Sequence, residues 1–389
     1  MVGGQILSRS LRCRQNELRT KNRACTRNFE PEPGTRTRNP ERRTQNSSRF
    51  RFYFRFYNPV VRIVTSAPTR IDLAGGTLDI WPLYLFHPGA QTINAAISLR
   101  ARATIDPRPD GRIVIKSLDT GTTVEAGDWR ELRGSRELRL LALLVHFFEA
   151  RGLTLTTSSE SPAGAGIAGS SALNVAVCAA LAEWTHTHDE PDALLQIAMN
   201  VEAQAIAVPT GLQDYRPALY GGIASVQLGV DGVRRVPIDV DPTELEARIV
   251  LCYTGAPRDS GTNNWDIMKK HIDGDRHVFD CFERIRDTAA VLREALTTGD
   301  WDAVGRAVAD EWDHRRRLAS GVSTPAIDDL IARARRADAV AAKVCGAGGG
   351  GCLFCVGPPE RRPAIAEALE RGGARLLDFH VERHGLTRG

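Results

Sequence analysis

The chain has 389 residues, 42% hydrophobic and 25% charged, with a formal net charge of +4. This is the composition of a soluble globular protein of about two domains, and no apolar run approaches the roughly 20 residues of a membrane-spanning helix. Residues 1–59 carry 14 Lys+Arg against 4 Asp+Glu and the rest 37 against 43, so the body is acidic and basicity makes no case for nucleic acid.

Residues 1–59 are rich in Arg, Asn, Thr and Ser and show no 2- or 3.6-residue period. Three readings stay open: a disordered tail outside the native chain with the start near Val60–Val61, an Arg-rich targeting peptide, or a nucleic-acid arm. Each predicts no packed fold there.

Ordered sequence begins at VRIVTSAPTRIDLAG, where Val61, Ile63, Ile71 and Leu73 predict strands around a turn at Ala67–Pro68. INAAISLRARATI and GRIVIKSL read as strands joined by a hairpin turn at Asp110–Gly111. Residues 136–150 have helical spacing, and LTLTTSSE alternates as a strand that feeds into PAGAGIAGSS. SALNVAVCAALAEW is apolar on most sides and predicts a buried helix; DALLQIAMNVEAQAIAV follows as a second. The loop PTGLQDYRPALYGG and the strand IASVQLG come next. Residues 248–254 open a second half with an apolar strand. Helices follow at about 275–297, 300–320 and 325–338, then KVCGAGGGGCLFCV, a helix at 360–372 and a last strand near LLDFHV. Strands followed by helix runs in both halves predict an α+β fold.

The eight cysteines form no regular framework. Cys178, Cys252 and Cys281 read as small buried hydrophobes. Cys352 and Cys355 have C-x-x-C spacing but lie in the apolar run CLFCV with no matching Cys/His pair, which weighs against zinc or redox chemistry. Thiols of this kind suit a reducing cytoplasm.

The strongest chemical signal is the order strand, PAGAGIAGSSA, helix, over Pro162–Ala172. Gly164, Gly166 and Gly169 let backbone approach a ligand, and the helix mouth presents unpaired N–H groups to an anion. Ser170 and Ser171 suit capping, phosphate oxygens or a divalent metal. The loop is neither Walker A nor a Rossmann fingerprint. A second run, Gly346–Gly351, suggests a backbone closing over the same ligand. Glu202 sits among apolar neighbours on a helix, with Asp214 in the loop beyond. Arg70 and Asp79 belong to an earlier segment, each as readily structural as functional by itself.

Taken together, SAPTRIDLAGGTLD, SPAGAGIAGSSAL, GLQDYRPALYGG and KVCGAGGGGC resemble, in this order, the motifs of the GHMP kinases. The resemblance covers nearly all of residues 60–389. It implies two domains: 60–245, like domain 2 of ribosomal protein S5 and binding ATP, and 246–389, ferredoxin-like. Pro162, Gly164, Ala165, Gly166, Ala168, Gly169, Ser170 and Ser171 would wrap the ATP phosphates, with Ser171 and Glu202 holding Mg²⁺. Asp214 would face the acceptor hydroxyl as base or orienter, and Arg70 would stabilise charge beside it. Asp79 would bind acceptor hydroxyls, with Gly348, Gly349 and Arg258 also at the acceptor; Ser260 and Asn263 belong to the same segment as Arg258. Apart from ATP and a small-molecule sugar acceptor, no nucleic-acid or membrane partner is implied, and the expected state is monomer or homodimer.

Galactokinases carry Glu and His where this chain has Gly76 and Thr77. The loop G-I-A-G-S-S is one residue longer than in mevalonate kinases. That longer loop, with AGG followed by Asp79 and Gln213-Asp214 after the helix glutamate, makes the chain most similar to the fucokinase and heptose 7-phosphate kinase branch, although Thr77-Leu78 departs from that branch too. The resemblance thus implies a sugar or sugar-phosphate kinase, with a mevalonate-type isoprenoid kinase or a non-catalytic sensor on the same fold as alternatives.

Overall fold

The computed structural model describes residues 62–257 and 260–389. The leader and its three readings lie outside the described residues. The first half runs β1 (Ile63–Ala74), β2 (Gln91–Pro107), β3 (Ile113–Ser117), β4 (Thr122–Ala126), α1 (Arg139–Phe147), β5 (Leu153–Ser159) and α2 (Gly169–Thr185). It continues with α3 (Pro191–Ile206), the short α4 (Tyr215–Tyr220), β6 (Ile223–Gly229) and β7 (Gly232–Pro237). The second half runs α5 (Pro242–Arg248), β8 (Ile249–Tyr253), α6 (Ser260–Ile272), α7 (Arg276–Thr298), α8 (Trp301–Arg315) and α9 (Pro325–Arg336). It ends with β9 (Ala341–Val344), β10 (Cys352–Val356), α10 (Arg362–Arg371), β11 (Arg375–Leu376) and β12 (Thr387–Arg388).

The strands form two sheets. One has the order β12-β1-β2-β5-β3-β4, with β6 and β7 added along the N-terminal part of the long β2. The other is antiparallel, in the order β11-β8-β10-β9. Helices cover both, so the architecture is the α+β fold that the element order implies. The second sheet starts only after α5, yet the chain's last residues return to the first: Thr387 and Arg388 pair with Ser66 and Thr65.

Several local expectations change. The turn at Ala67–Pro68 is a bulge inside one unbroken 12-residue strand. Pro68 has no N–H to donate, and the register shift between Pro68 and Thr69 absorbs it. Asp110–Gly111 does not join a hairpin, because β5 lies between β2 and β3, antiparallel to one and parallel to the other. The hairpin partner of β3 is β4, whose half-exposed TTVEA carries too little apolar signal to be read as a strand. The loop after α3 contains α4, and α6 was not expected at all. The last predicted strand shrinks to Arg375–Leu376, followed by a bridge between Val381 and Ile97.

The α2 helix is buried on nearly every side from Ser171 to Ala182. It lies against β1 and β2, with α1 and α3 also packed on it, and its many alanines permit that close approach. Burial on this scale places the N-terminus of α2 rigidly against β1. Cys352 and Cys355 are buried in β10, where burial pushes the Cys355 thiol well above its ordinary range. No helix among the described residues is long and apolar enough to cross a membrane.

Candidate active site

β5 leads into the glycine-rich loop, and α2 starts at Gly169 with Ala168 in the left-handed region at φ 62°. Gly164 and Gly166 also have positive φ, which explains glycine there. No side chain caps α2. Its first-turn N–H groups therefore open, with the helix dipole, onto a cleft of about 470 Å³. Pro162, Gly164, Ala165, Gly166, Ala168, Gly169, Ser170 and Ser171 all line this cleft. Leu138, Leu140 and Ile206 supply apolar wall.

The serine hydroxyls point elsewhere than the helix cap. Ser170 Oγ donates to Glu202 Oε1 at 2.8 Å and Ser171 Oγ to Oε2 at 3.0 Å, while Tyr215 Oη donates to Oε2 at 2.8 Å. Glu202 is thus a functional-looking exception on α3, 5% exposed where a helix glutamate is ordinarily solvated. Burial pushes its carboxyl above the ordinary range, against the pull of the hydroxyls. Among the described residues no lysine or arginine is paired with it. A buried carboxylate surrounded by hydroxyls, without a cation, is a hard-oxygen donor set that fits Mg²⁺.

At the far end of the cleft stands Asp214, just before α4. Arg70 on β1 is 1% exposed and donates from Nε (3.0 Å) and Nη2 (2.5 Å) to Asp214 Oδ1. Its Nη1 donates to Gly166 O at 2.9 Å, and its backbone N–H to Ile167 O at 3.0 Å. Arg70 therefore ties Asp214 to the glycine-rich loop.

Asp214, Gly211 and Asn264 line both this cleft and a second, inner cavity of about 40 Å³. Arg70, Thr77, Asp79, Gln213, Gly346 and Ala347 complete the inner cavity. Asp79 is 1% exposed, and its Oδ2 accepts the Gln213 N–H at 2.9 Å. Burial first, and the charge of Asp214 second, push its carboxyl up to about 6.

The second glycine run meets the first directly. Cys352 N–H donates to Ala165 O at 2.6 Å, and a Cβ on Gly351 would stand 2.6 Å from the same oxygen. Only part of the run reaches the inner cavity, at Gly346 and Ala347. Gly348 and Gly349, expected at the acceptor, instead turn onto Val322: Gly349 N–H donates to Val322 O at 2.9 Å, and a Cβ on Gly348 would lie 2.5 Å from it. That correction follows from the run's own curvature, since a string of positive-φ glycines cannot present every residue to one side. Arg258 and the side chains of Ser260 and Asn263 lie outside the described residues.

Sequence reasoning missed a buried charge network behind the inner cavity. Arg315 on α8 donates to Glu311 (2.9 Å), Asp72 (3.3 Å), Thr77 Oγ1 (3.0 Å) and Gly346 O (3.1 Å). Lys343 on β9 reaches Glu311 at 2.9 Å and Asp72 at 3.4 Å. All four charged residues are at most 1% exposed. Burial alone would raise the Asp72 carboxyl, but Lys343, Arg315 and Arg70 outweigh it and hold it below the ordinary range. The one sequence signal was Lys343 itself, a lysine in an otherwise apolar strand ahead of the glycine run. Tyr215 and Gln213 had only their adjacency to Asp214, and Asn264 its place in TGAPRDSGTNNW.

Comparison with known proteins matches two stretches of the chain to described families. The family described as GHMP kinases N terminal domain matches residues 137–222, and GHMP kinases C terminal matches residues 292–375. The first span runs from α1 through α4 and holds the loop, Glu202 and Asp214. The chain is 28% identical over 338 residues to the D-glycero-alpha-D-manno-heptose 7-phosphate kinase of Campylobacter jejuni, covering 83% of this chain and 98% of that one. It is 26% identical over 351 residues to the mevalonate kinase of Thermococcus sibiricus, covering 84% and 98%. Among solved structures, a D-glycero-D-manno-heptose 1-phosphate kinase from Bacteriodes thetaiotaomicron shares the fold, with a TM-score of 0.68 at 24% identity over 84% of this chain and 98% of that one.

Proposed function

We propose that the chain, which matches both GHMP kinase domain families, is an ATP-dependent phosphotransferase of that family and phosphorylates a hydroxyl of a sugar or sugar phosphate of the heptose 7-phosphate or fucose kind. The observation that carries this reading is the position of Asp214 where the large loop-lined cleft meets the small polar cavity. A triphosphate in the first and a polyhydroxylated acceptor in the second would bring the γ-phosphorus and an acceptor oxygen to the same carboxylate.

Each residue then has a definite task. The loop N–H groups and the mouth of α2 cradle the phosphates. Ser171 and Glu202 would hold Mg²⁺, which supplies charge neutralisation to the phosphates when bound. Asp214 orients the acceptor hydroxyl and takes its proton, with Oδ1 fixed by Arg70 and Oδ2 turned to the acceptor. Arg70 adds positive charge at the point where negative charge gathers. Asp79 receives hydroxyls of the acceptor. The two halves, 60–245 and 246–389, bring the loop and the second glycine run together, and the buried cysteines suit a cytoplasmic enzyme.

Mevalonate is the rival acceptor, favoured by the Thermococcus relative. Its carboxylate would need a cation in the acceptor site. Among the described residues the guanidinium groups behind the inner cavity, Arg70 and Arg315, are already engaged by protein oxygens. A purely sensing role is disfavoured by Ser171, Glu202 and Asp214 standing together at one cleft. The test is ADP release by the full chain with Mg·ATP against free sugars, sugar phosphates and mevalonate. Turnover with a sugar or sugar phosphate supports the reading. Turnover with mevalonate alone, or nucleotide binding without any ADP release, overturns it.

A further inference from the structure

Two residues that line the inner cavity each carry a buried side-chain oxygen with no hydrogen-bond partner among the described residues. Gln213 is 5% exposed, and its Oε1 is buried without a hydrogen-bond partner. Its backbone N–H is engaged by Asp79, and its Nε2 is held toward Gly76, where a Cβ would come within 2.8 Å of it. Asn264 on α6, which also lines the cavity, likewise has a buried, unpartnered Oδ1. A buried oxygen left unpaired costs about 1–3 kcal/mol, so two of them on residues lining one small space mark a place where a ligand supplies the missing donors.

The groups around them define which ligand. Arg70 has its donors on Asp214 and Gly166, and Arg315 on Glu311, Asp72, Thr77 and Gly346. The remaining carboxylates, Asp79 and Asp214, only accept when ionised. Hydroxyl groups can donate to every one of these oxygens. A phosphate dianion can only accept, and would face the Asp79 and Asp214 carboxylates at a place where, among the described residues, Arg70 and Arg315 are already engaged. The cavity, at about 40 Å³, also has room for a few water-sized groups rather than a whole sugar.

On the reading that the chain is a sugar kinase, we propose that Gln213 and Asn264 are acceptor-recognition residues that bind donor hydroxyls at one end of the sugar, and that any phosphate the substrate carries lies outside this cavity. The two residues would act as specificity determinants, since a site built around unpaired oxygens rejects an analogue lacking the hydroxyl they await.

The test uses the full chain and the best acceptor from the ADP-release screen, with its monodeoxy analogues. Removing the recognised hydroxyl from the sugar should lower kcat/KM in the wild type by roughly 10- to 100-fold. Gln213→Leu should lower kcat/KM for the intact sugar by a similar factor and abolish the further penalty for that deoxy analogue. A residue with a merely structural role would leave the deoxy penalty intact. Asn264→Ala is the second variant, and thermal unfolding shows whether either protein is folded. The ratio of kcat/KM between a sugar and its phosphate ester should be the same in the wild type and both variants. Additive penalties for every analogue in both variants, or loss of the phosphate preference in Gln213→Leu, overturns the proposal while leaving the kinase reading intact. Failure of the wild type to turn over any sugar or sugar phosphate overturns the kinase reading, and this proposal with it.

Discussion

Arg70 and Asp214 are joined through a single carboxylate oxygen, with Nε and Nη2 both donating to Oδ1 while Nη1 of the same guanidinium holds Gly166 O. One buried fork therefore sets the Asp214 carboxylate and the glycine-rich loop in a common frame. Lysine has the charge but lacks the planar fork. Arg70→Lys should therefore reduce kcat by roughly 100-fold, the scale of an ångström's misplacement between reacting groups. Steady-state ADP release measures it; an unchanged kcat would show that the two sites are not coupled through this side chain.

Asp214→Ala should reduce kcat by roughly 10²- to 10⁴-fold, the range of positioned acid–base groups. Nucleotide affinity should stay within a few-fold, because Asp214 stands at the acceptor end of the cleft. Turnover is measured with saturating acceptor and affinity by fluorescence titration with an ATP analogue. Unchanged turnover would remove Asp214 from the mechanism.

Asp79 gives a pH signature with a definite sign. Its carboxyl is raised from 3.8 to about 6 in the folded chain, so between those values the folded protein keeps a proton that the unfolded chain has released. Its contribution to stability is therefore full at low pH and is lost as pH rises through about 6. Two pH units correspond to about 3 kcal/mol at most. Asp79→Asn, which never ionises, should gain stability relative to the wild type as pH rises from about 4 to about 6 in urea unfolding, with no further gain well above that. A pH-independent difference would show that this carboxyl does not titrate there.

For Glu202 the same burial should appear in the metal dependence. Mg²⁺ requires the carboxylate, and burial favours the protonated form, so half-saturating Mg²⁺ should fall as pH rises. Glu202→Gln should raise the Mg²⁺ requirement at least roughly 10-fold and flatten its pH dependence. A variant with wild-type Mg²⁺ dependence would place the metal elsewhere.

Lys343→Met should destabilise the fold by about 3–5 kcal/mol, because it leaves the two buried carboxylates of Asp72 and Glu311 to share Arg315. Arg234→Met, at a solvent-exposed pair with Asp231, should change stability by less than about 1 kcal/mol. Chemical denaturation of both variants checks the contrast; equal effects would mean the buried network contributes no more than the surface pair.

Legibility differed with the distance over which each signal is written. The glycine-rich loop and the buried α2 helix are contiguous devices: small residues permit close backbone approach, and an unbroken apolar surround leaves a helix only an interior place. Both could be read directly. The hairpin expected at Asp110–Gly111 failed because strand pairing is a choice among partners, and β5, 40 residues further on, competes successfully for both β2 and β3. Asp79, Glu202 and Asp214 were recognisable only as members of a motif series; alone, each carboxylate had an ordinary structural explanation.

By itself, the sequence determined the α+β class, the glycine-rich loop that opens a helix, and the resemblance to the GHMP kinases. Only the tertiary structure decided which oxygens remain unpaired. Asp72 and Lys343, 271 positions apart, neutralise each other in the interior. Arg315 is drawn into the same network, and so the neighbouring cavity is left lined by unanswered acceptors. Hydrogen bonds and charges are settled pairwise in space, and no one-dimensional pattern records which partners the folded chain has already satisfied.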